Sequence, residues 1–398
     1  MRPRNLLRGI VAATAASTVL AGLGPLQSAE GVTVGTVAPD SPRGAVVAAA
    51  PLDRDLWIPE TTRKAFTLTY VTSNTFGDKA LSTGTLFIPK GTAPAGGWPV
   101  ISWAHGTSGL ADACAPSRTG PALPERDWAY LGAWMKQGYA IVASDYAGLG
   151  TPGLHAYLDG RTTAHNVVDI VKAGRSYTRT HLPAGQRLSR KWVTIGQSQG
   201  AGASIYTARY ATKFGGPGLD YRGAVGTGVP ANIETTVLLL GPAAPPVPLP
   251  KGITAYMSLI FASLRYAHPE LGIDGILTDA GRRALRLAKT TCTFELEEKL
   301  DGEVIGSWFT APVLTLPGFA STVRDYMAMP TSGFDKPFFM GHGLLDTDVP
   351  VAVTLPYVTQ LTLGLEPVTF KLYPTDHSGT MLASQPDSIP FVKRLFAG

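Results

Sequence analysis

Gly196-Gln197-Ser198-Gln199-Gly200 sets a hydroxyl nucleophile between two glycines, after the β-rich run Trp192 to Ile195 and before small, helix-compatible residues. That is the strand, sharp turn and helix order of a nucleophile elbow. The serine of such a turn has a strained backbone, and the residues two before and two after it must lack a Cβ so that strand and helix can approach. In a chain with 45 glycines the pentapeptide alone is a cheap match, equally an ordinary glycine-rich turn. Its flanking elements and downstream partners give it weight. A hydroxyl nucleophile needs a base within hydrogen-bond reach and an acid to orient that base. Beyond Ser198 the histidines are His268, His342 and His377. The chain order Ser, then Asp or Glu, then His selects His377, in the loop Tyr373-Pro-Thr-Asp-His377-Ser-Gly. The alternative for it is a surface-loop histidine with no special role. Asp346, in His342-Gly-Leu-Leu-Asp346-Thr-Asp348-Val-Pro350, is the candidate acid. Asp348 competes with it, but stands nearer the Val-Pro that opens the next helix and is expected to cap that helix or face water. Asp376 is expected to point away from its neighbour His377.

Such a site also needs two backbone N–H groups aimed at the oxygen that becomes negative. Gln199, directly after the nucleophile, is one candidate. The other falls in His105-Gly106-Thr107-Ser108-Gly109, with Thr107 the first choice and Ser108 the second. His105 reads as a hydrogen-bonded brace for that loop. The turn from Tyr146 to Gly150 lies at the same edge, either walling the site or merely packing beneath it.

These residues need an alternating strand and helix framework to hold them. Ala65 to Ser73 and Leu81 to Pro89 read as a hairpin, and Trp98 to Ala104 and Tyr139 to Ser144 as buried strands. The elbow strand, Gly223 to Val229, Pro337 to Gly341 and Val368 to Leu372 complete a mainly parallel sheet, with helices at Glu125 to Gln137 and Thr162 to Thr180. Between its strands the stretch 231–319 is too long for a loop. It opens with a proline-rich segment, Pro242 to Pro250, that rules out regular structure there. Two helical stretches follow, Ile253 to Tyr266 and Asp279 to Lys299, and we read the whole as a mostly helical cap. Its apolar runs, Val237 to Leu240 and Tyr256 to Leu264, either line an acyl site or form the cap's own core. The resulting division is a core in two parts, 51–230 and 320–398, around a cap at 231–319.

At 398 residues, 44% of them hydrophobic and 16% charged, the chain can bury a large globular core. Of the net charge of +5, four Arg against two acids lie in residues 1–50; the remainder is spread without basic runs, so no nucleic-acid surface is expected. Arg2, Arg4 and Arg8 precede an apolar stretch from Gly9 to Gly24 and small residues at Ser28 and Ala29. That is a secretory signal peptide, read as 1–29, and its apolar run is too short for a stable membrane span. Residues 30–50 read as a disordered leader. In an exported chain two cysteines suggest one disulfide, Cys114 to Cys292, the alternative being two free thiols. Neither the cysteines nor the seven histidines show metal-ligand spacing, so no metal and no cofactor is expected.

Gly196-Gln-Ser-Gln-Gly200, the His105-Gly-Thr turn, Ala113-Cys-Ala-Pro-Ser117, Asp145-Tyr-x-Gly-Leu-Gly150 and Gly343-x-x-Asp-x-x-Val-Pro350, in this order, resemble the secretory lipase family of the α/β-hydrolase superfamily. The resemblance runs from about Leu56 to the C-terminus. It implies an α/β-hydrolase fold with a helical cap between the sixth and seventh strands and serine carboxylic-ester hydrolase activity. It also implies a triad of Ser198, Asp346 and His377, and a cysteine bridge tying the oxyanion loop to the cap. A second disulfide of the fungal members has no counterpart here. The expectation is a secreted lipase or esterase acting on an acyl-ester small molecule or a lipid, the latter at a lipid–water interface. An acyltransferase or peptidase on the same fold, and a non-catalytic lipid- or surface-binding protein, are the other readings. Oligomeric state leaves no signal.

Overall fold

The computed structural model describes residues 40–243 and 245–398. The signal peptide read at 1–29, and the leader as far as residue 39, lie outside the described residues. Among the described residues nine strands form one sheet: β1 (Val46–Pro51), β2 (Thr62–Ser73), β3 (Lys79–Pro89), β4 (Trp98–Ala104), β5 (Ala140–Ser144), β6 (Leu188–Gln197), β7 (Asp220–Thr227), β8 (Phe338–Gly343) and β9 (Val368–Tyr373). Their spatial order is β1-β2-β3-β5-β4-β6-β7-β8-β9. The first three form an antiparallel meander, β3 joins β5 antiparallel, and every pairing from β5 to β9 is parallel.

Alternation along the strands divides the core between two faces. Val100 and Val142 pack with Val167, Val168 and Val171 on one side, while Ile101, Trp103 and Ile195 pack with Tyr130, Leu131 and Trp134 on the other. The helices in chain order are α1 (Pro116–Thr119), α2 (Pro124–Met135), α3 (Gly160–His181), α4 (Gln199–Gly215), α5 (Ile233–Leu238), α6 (Lys251–Ala267), α7 (Asp279–Thr290), α8 (Thr293–Lys299), α9 (Phe319–Met327), α10 (Val351–Leu363), α11 (Thr380–Ala383) and α12 (Gln385–Ala397). The parallel strands end in register: Ala104 stands beside Ser144 and Gly196, and Thr227 beside Gln197 and Gly341. The loops after β4, β5, β6, β7 and β8 therefore emerge along one edge.

Three expectations change. Residues 46–50 belong to β1, an edge strand hydrogen-bonded to β2, so the leader reading does not hold there. Counting this strand, the helical insertion follows the seventh strand; the connection itself is the one expected. The stretch Asp279 to Lys299 is two helices, because Thr291 and Cys292 are extended and Cys292 bridges to Gly109. Lastly, the insertion's apolar core continues past residue 319, since Phe319, Val323, Tyr326 and Met327 of α9 pack into it with Leu259, Phe261 and Trp308.

Candidate active site

Ser198 follows β6 at φ 56°, ψ −123°. A non-glycine residue held at positive φ costs of order 1–3 kcal/mol and must be fixed by its surroundings. Here a bond from its N–H to the Thr227 carbonyl (2.9 Å) holds the backbone. A Cβ on Gly196 would lie 2.0 Å from the Gly200 carbonyl oxygen, and one on Gly200 would lie 1.9 Å from that of Ala104. Both positions therefore require glycine. Gln199 opens α4, so its N–H has no acceptor within the helix.

His377 Nδ1 lies 2.6 Å from Asp346 Oδ2. The other Asp346 oxygen accepts the N–H groups of Asp348 (3.0 Å) and Val349 (2.8 Å). His377 is buried, and its Nε2 has no hydrogen-bond partner. Both Ser198 and His377 line a cavity of about 300 Å³. Thr107 and Ser108 line it too; Thr107 is half-buried and its Oγ1 lies 2.8 Å from the Tyr157 hydroxyl.

Several groups not anticipated from the sequence support this arrangement. Arg126 Nη1 donates to Ser378 Oγ (2.9 Å) and Gln197 Nε2 to the His377 carbonyl (3.5 Å), so both neighbours of the imidazole's loop are held. His342 approaches the same Asp346 oxygen as His377, its Nε2 3.4 Å from Oδ2 and 2.8 Å from the Val349 carbonyl. Burial holds the His342 pKa below the ordinary imidazole value. An amphipathic helix pattern marks only the buried face of α2, and nothing in it distinguishes Arg126 and Asp127 from surface charges.

Asp348 departs from its expected role. It is half-buried and lines the cavity, and burial raises its carboxyl above the usual range despite the opposing pull of His377. Asp376 is engaged elsewhere, accepting the Gly379 N–H at 2.6 Å. His105 is buried under the loop after β4 with Nδ1 2.7 Å from the Gly106 carbonyl, and burial lowers its pKa. The Tyr146 to Gly150 turn packs beneath that loop, Tyr146 donating to the His105 carbonyl at 3.0 Å, and contributes nothing to the cavity lining. Of the two apolar cap runs only Tyr256 reaches the cavity; Val237, Leu259 and Phe261 form the cap's core.

Cys114 and Cys292 are bonded, with Cα atoms 5.5 Å apart. The same junction carries a backbone bond from Thr293 N–H to the Ser108 carbonyl (3.0 Å). The loop after β4 is thus joined to the start of α8 by covalent and backbone links together. Among the described residues no group of three or more His, Cys, Asp or Glu side chains could hold a metal ion, and no helix is long and apolar enough to cross a membrane.

A mixed sheet with a strained serine at its parallel edge and a helical insertion before its last two strands is the architecture of the α/β-hydrolases. Similar solved structures include Candida antarctica lipase A in its closed state, with a TM-score of 0.71 at 22% identity over 90% of this chain and 83% of that one. A ligand-bound form of the rice cell wall degrading esterase LipA from Xanthomonas oryzae also has a TM-score of 0.71, at 18% identity over 90% of this chain and 99% of that one. Among curated protein sequences none matches the chain. The sequence model of the secretory lipase family matches residues 124–398, and the chain belongs to that family. It is accordingly a hydrolase of the lipase and esterase class.

Proposed function

We propose that the protein is an exported serine carboxylic-ester hydrolase working through Ser198, His377 and Asp346. Ser198 Oγ attacks the ester carbonyl while His377 Nε2 takes its proton; Asp346 holds the imidazole at Nδ1 and balances its charge. The backbone N–H groups of Thr107 and Gln199 steady the tetrahedral oxyanion. His377 returns the proton to the departing alcohol. Water, activated by the same imidazole, then releases the acid from the acyl-enzyme. The observation that carries this reading is the 2.6 Å bond from His377 Nδ1 to Asp346, which leaves a buried, unpartnered Nε2 beside the cavity that Ser198 lines. Export is supported by the Arg2, Arg4 and Arg8 stretch before the apolar run and by the Cys114–Cys292 bridge.

A fluorophosphonate should label Ser198 and no other serine, as peptide mass mapping would reveal. Ser198→Ala or His377→Ala should lower kcat on p-nitrophenyl esters by roughly a million-fold, because the two act as a unit. Normal ester turnover in Ser198→Ala would end this reading.

A further inference from the structure

Behind the oxyanion loop runs a short segment of the chain that touches both proposed donors and bears none of the chemistry itself. Tyr157 and His155, two residues apart, stand against different donors. The Tyr157 hydroxyl lies 2.8 Å from Thr107 Oγ1. His155 Nε2 accepts from Gln199 Nε2 at 2.7 Å. Both rings are buried. They belong to a row of aromatic rings: His105 against Tyr146 at 4.5 Å, Tyr146 stacked on His155 at 5.3 Å, and His155 edge-on to Tyr157 at 6.4 Å. The cap holds the segment through Ser263 of α6, whose hydroxyl accepts the Tyr157 N–H and donates to the His155 carbonyl, both at 3.1 Å.

We propose that Tyr157 and His155 are the positioning residues of the oxyanion hole, Tyr157 fixing Thr107 and His155 fixing Gln199, with Ser263 linking the pair to the cap. The proposal rests on the reading of Thr107 and Gln199 as oxyanion donors. Its physical basis is that an oxyanion hole works only when its dipoles are already aimed, since reorienting them during the reaction would cost the stabilisation they supply. Thr107 lies in an irregular loop, so no regular element aims its amide; Gln199 is the first residue of α4, where the helix sets the N–H direction and the bond to His155 holds that end residue in place. A hydrogen bond from each side chain to a ring locked in a packed row removes the freedom that remains. The ring row suits the task because burial keeps it in one protonation state. Burial pushes the His155 pKa down to about 3, against a weaker upward pull from a hydrogen bond to Ala147, and raises that of the Tyr157 phenol. Each therefore keeps its neutral hydrogen-bonding pattern across the pH range in which His377 must act as base.

The test uses the full-length secreted enzyme with p-nitrophenyl acetate. Tyr157→Phe keeps the ring and removes only the hydroxyl, and should lower kcat roughly ten- to a hundred-fold with KM within about twofold. On a Thr107→Val background, which keeps the amide but cannot bond to Tyr157, the same change should cost nothing further, because Tyr157 acts through Thr107. His155→Leu should lower kcat in the same way, and His155→Gln, which restores an acceptor, should recover most of it. The rate of fluorophosphonate labelling at Ser198 should fall with kcat. Unchanged kcat in folded Tyr157→Phe overturns the proposal, as do losses that multiply with those of Thr107→Val. These results sink only the positioning role if Ser198→Ala is inactive; turnover surviving in Ser198→Ala sinks the underlying reading as well.

Discussion

Asp346 faces two imidazoles that do different work. His377 meets it through Nδ1 and offers the cavity its other nitrogen, while His342 donates to the Val349 carbonyl and fixes the loop that carries Asp346. The residue types and chain order that single out Ser198, Asp346 and His377 as the proposed triad could be read directly, because the chemistry of such a triad constrains them. His155 could not be picked out, because a histidine buried by tertiary packing has no local signature. It does leave a thermodynamic one. The His155 pKa moves from 6.5 to about 3 on folding. Between those values the unfolded chain carries a proton that the folded chain lacks, so stability is complete above about 6.5 and falls as the pH drops toward about 3. His155→Gln removes that contribution. Denaturant melts from pH 6.5 to pH 4 should show the unfolding free energy of the parent falling about 1.4 kcal/mol more per pH unit than that of His155→Gln. Equal slopes would mean that His155 is protonated in the folded protein.

Elements set by continuous local pattern were legible, and those set by partners were not. β4 and the elbow strand β6 declare themselves as apolar runs buried on both faces. The strand β1 does not, because it is an edge strand of small, mostly exposed residues that, among the described residues, pairs with β2 alone. Similarly, the helical apolar spacing of Leu285, Ala288 and Leu296 runs across Thr291 and Cys292 without interruption. The break there is imposed by Gly109 and Cys114. This junction has two supports of different kinds, and they are separable. The bridge spans a sequence separation of 178 residues, which in the chain-entropy picture gives on the order of 5 kcal/mol. Placement of the loop is shared with the Thr293 to Ser108 backbone bond, which needs no sulfur. Cys114→Ser combined with Cys292→Ser should therefore lower Tm by on the order of 10 °C. At 25 °C kcat should fall by less than about ten-fold, because the loop keeps its backbone register. A larger loss of kcat with Tm unchanged would assign placement of the loop to the bridge alone.

At the scale of the molecule, the sheet supplies the chemistry and the cap supplies the wall facing it. The cap's contribution is narrow: Pro250, Lys251, Gly252 and Tyr256 from the start of α6, and Phe294 and Glu297 from α8. A cavity of about 300 Å³ with charged groups on this wall lies at the small end of ligand sites, so on the proposed function short or partly polar acyl groups should be turned over best. Phe294 is the large apolar side chain on the wall and is 46% exposed, so an acyl chain lying against it would cover what water now touches. Covering the exposed half of such a ring is worth about 1 kcal/mol. Phe294→Ser should thus lower kcat/KM for p-nitrophenyl octanoate by roughly three- to ten-fold relative to the acetate. Leu259 and Phe261, by contrast, are fully buried in the cap's core and away from the cavity. Leu259→Ala should cost about 2–5 kcal/mol of stability and reduce turnover of both esters alike once less enzyme is folded. Rates on both esters, normalised to active sites counted by fluorophosphonate, separate the two effects. If Phe294→Ser lowers acetate and octanoate equally while Leu259→Ala discriminates between them, the acyl chain runs into the cap's core instead of along the wall at Phe294.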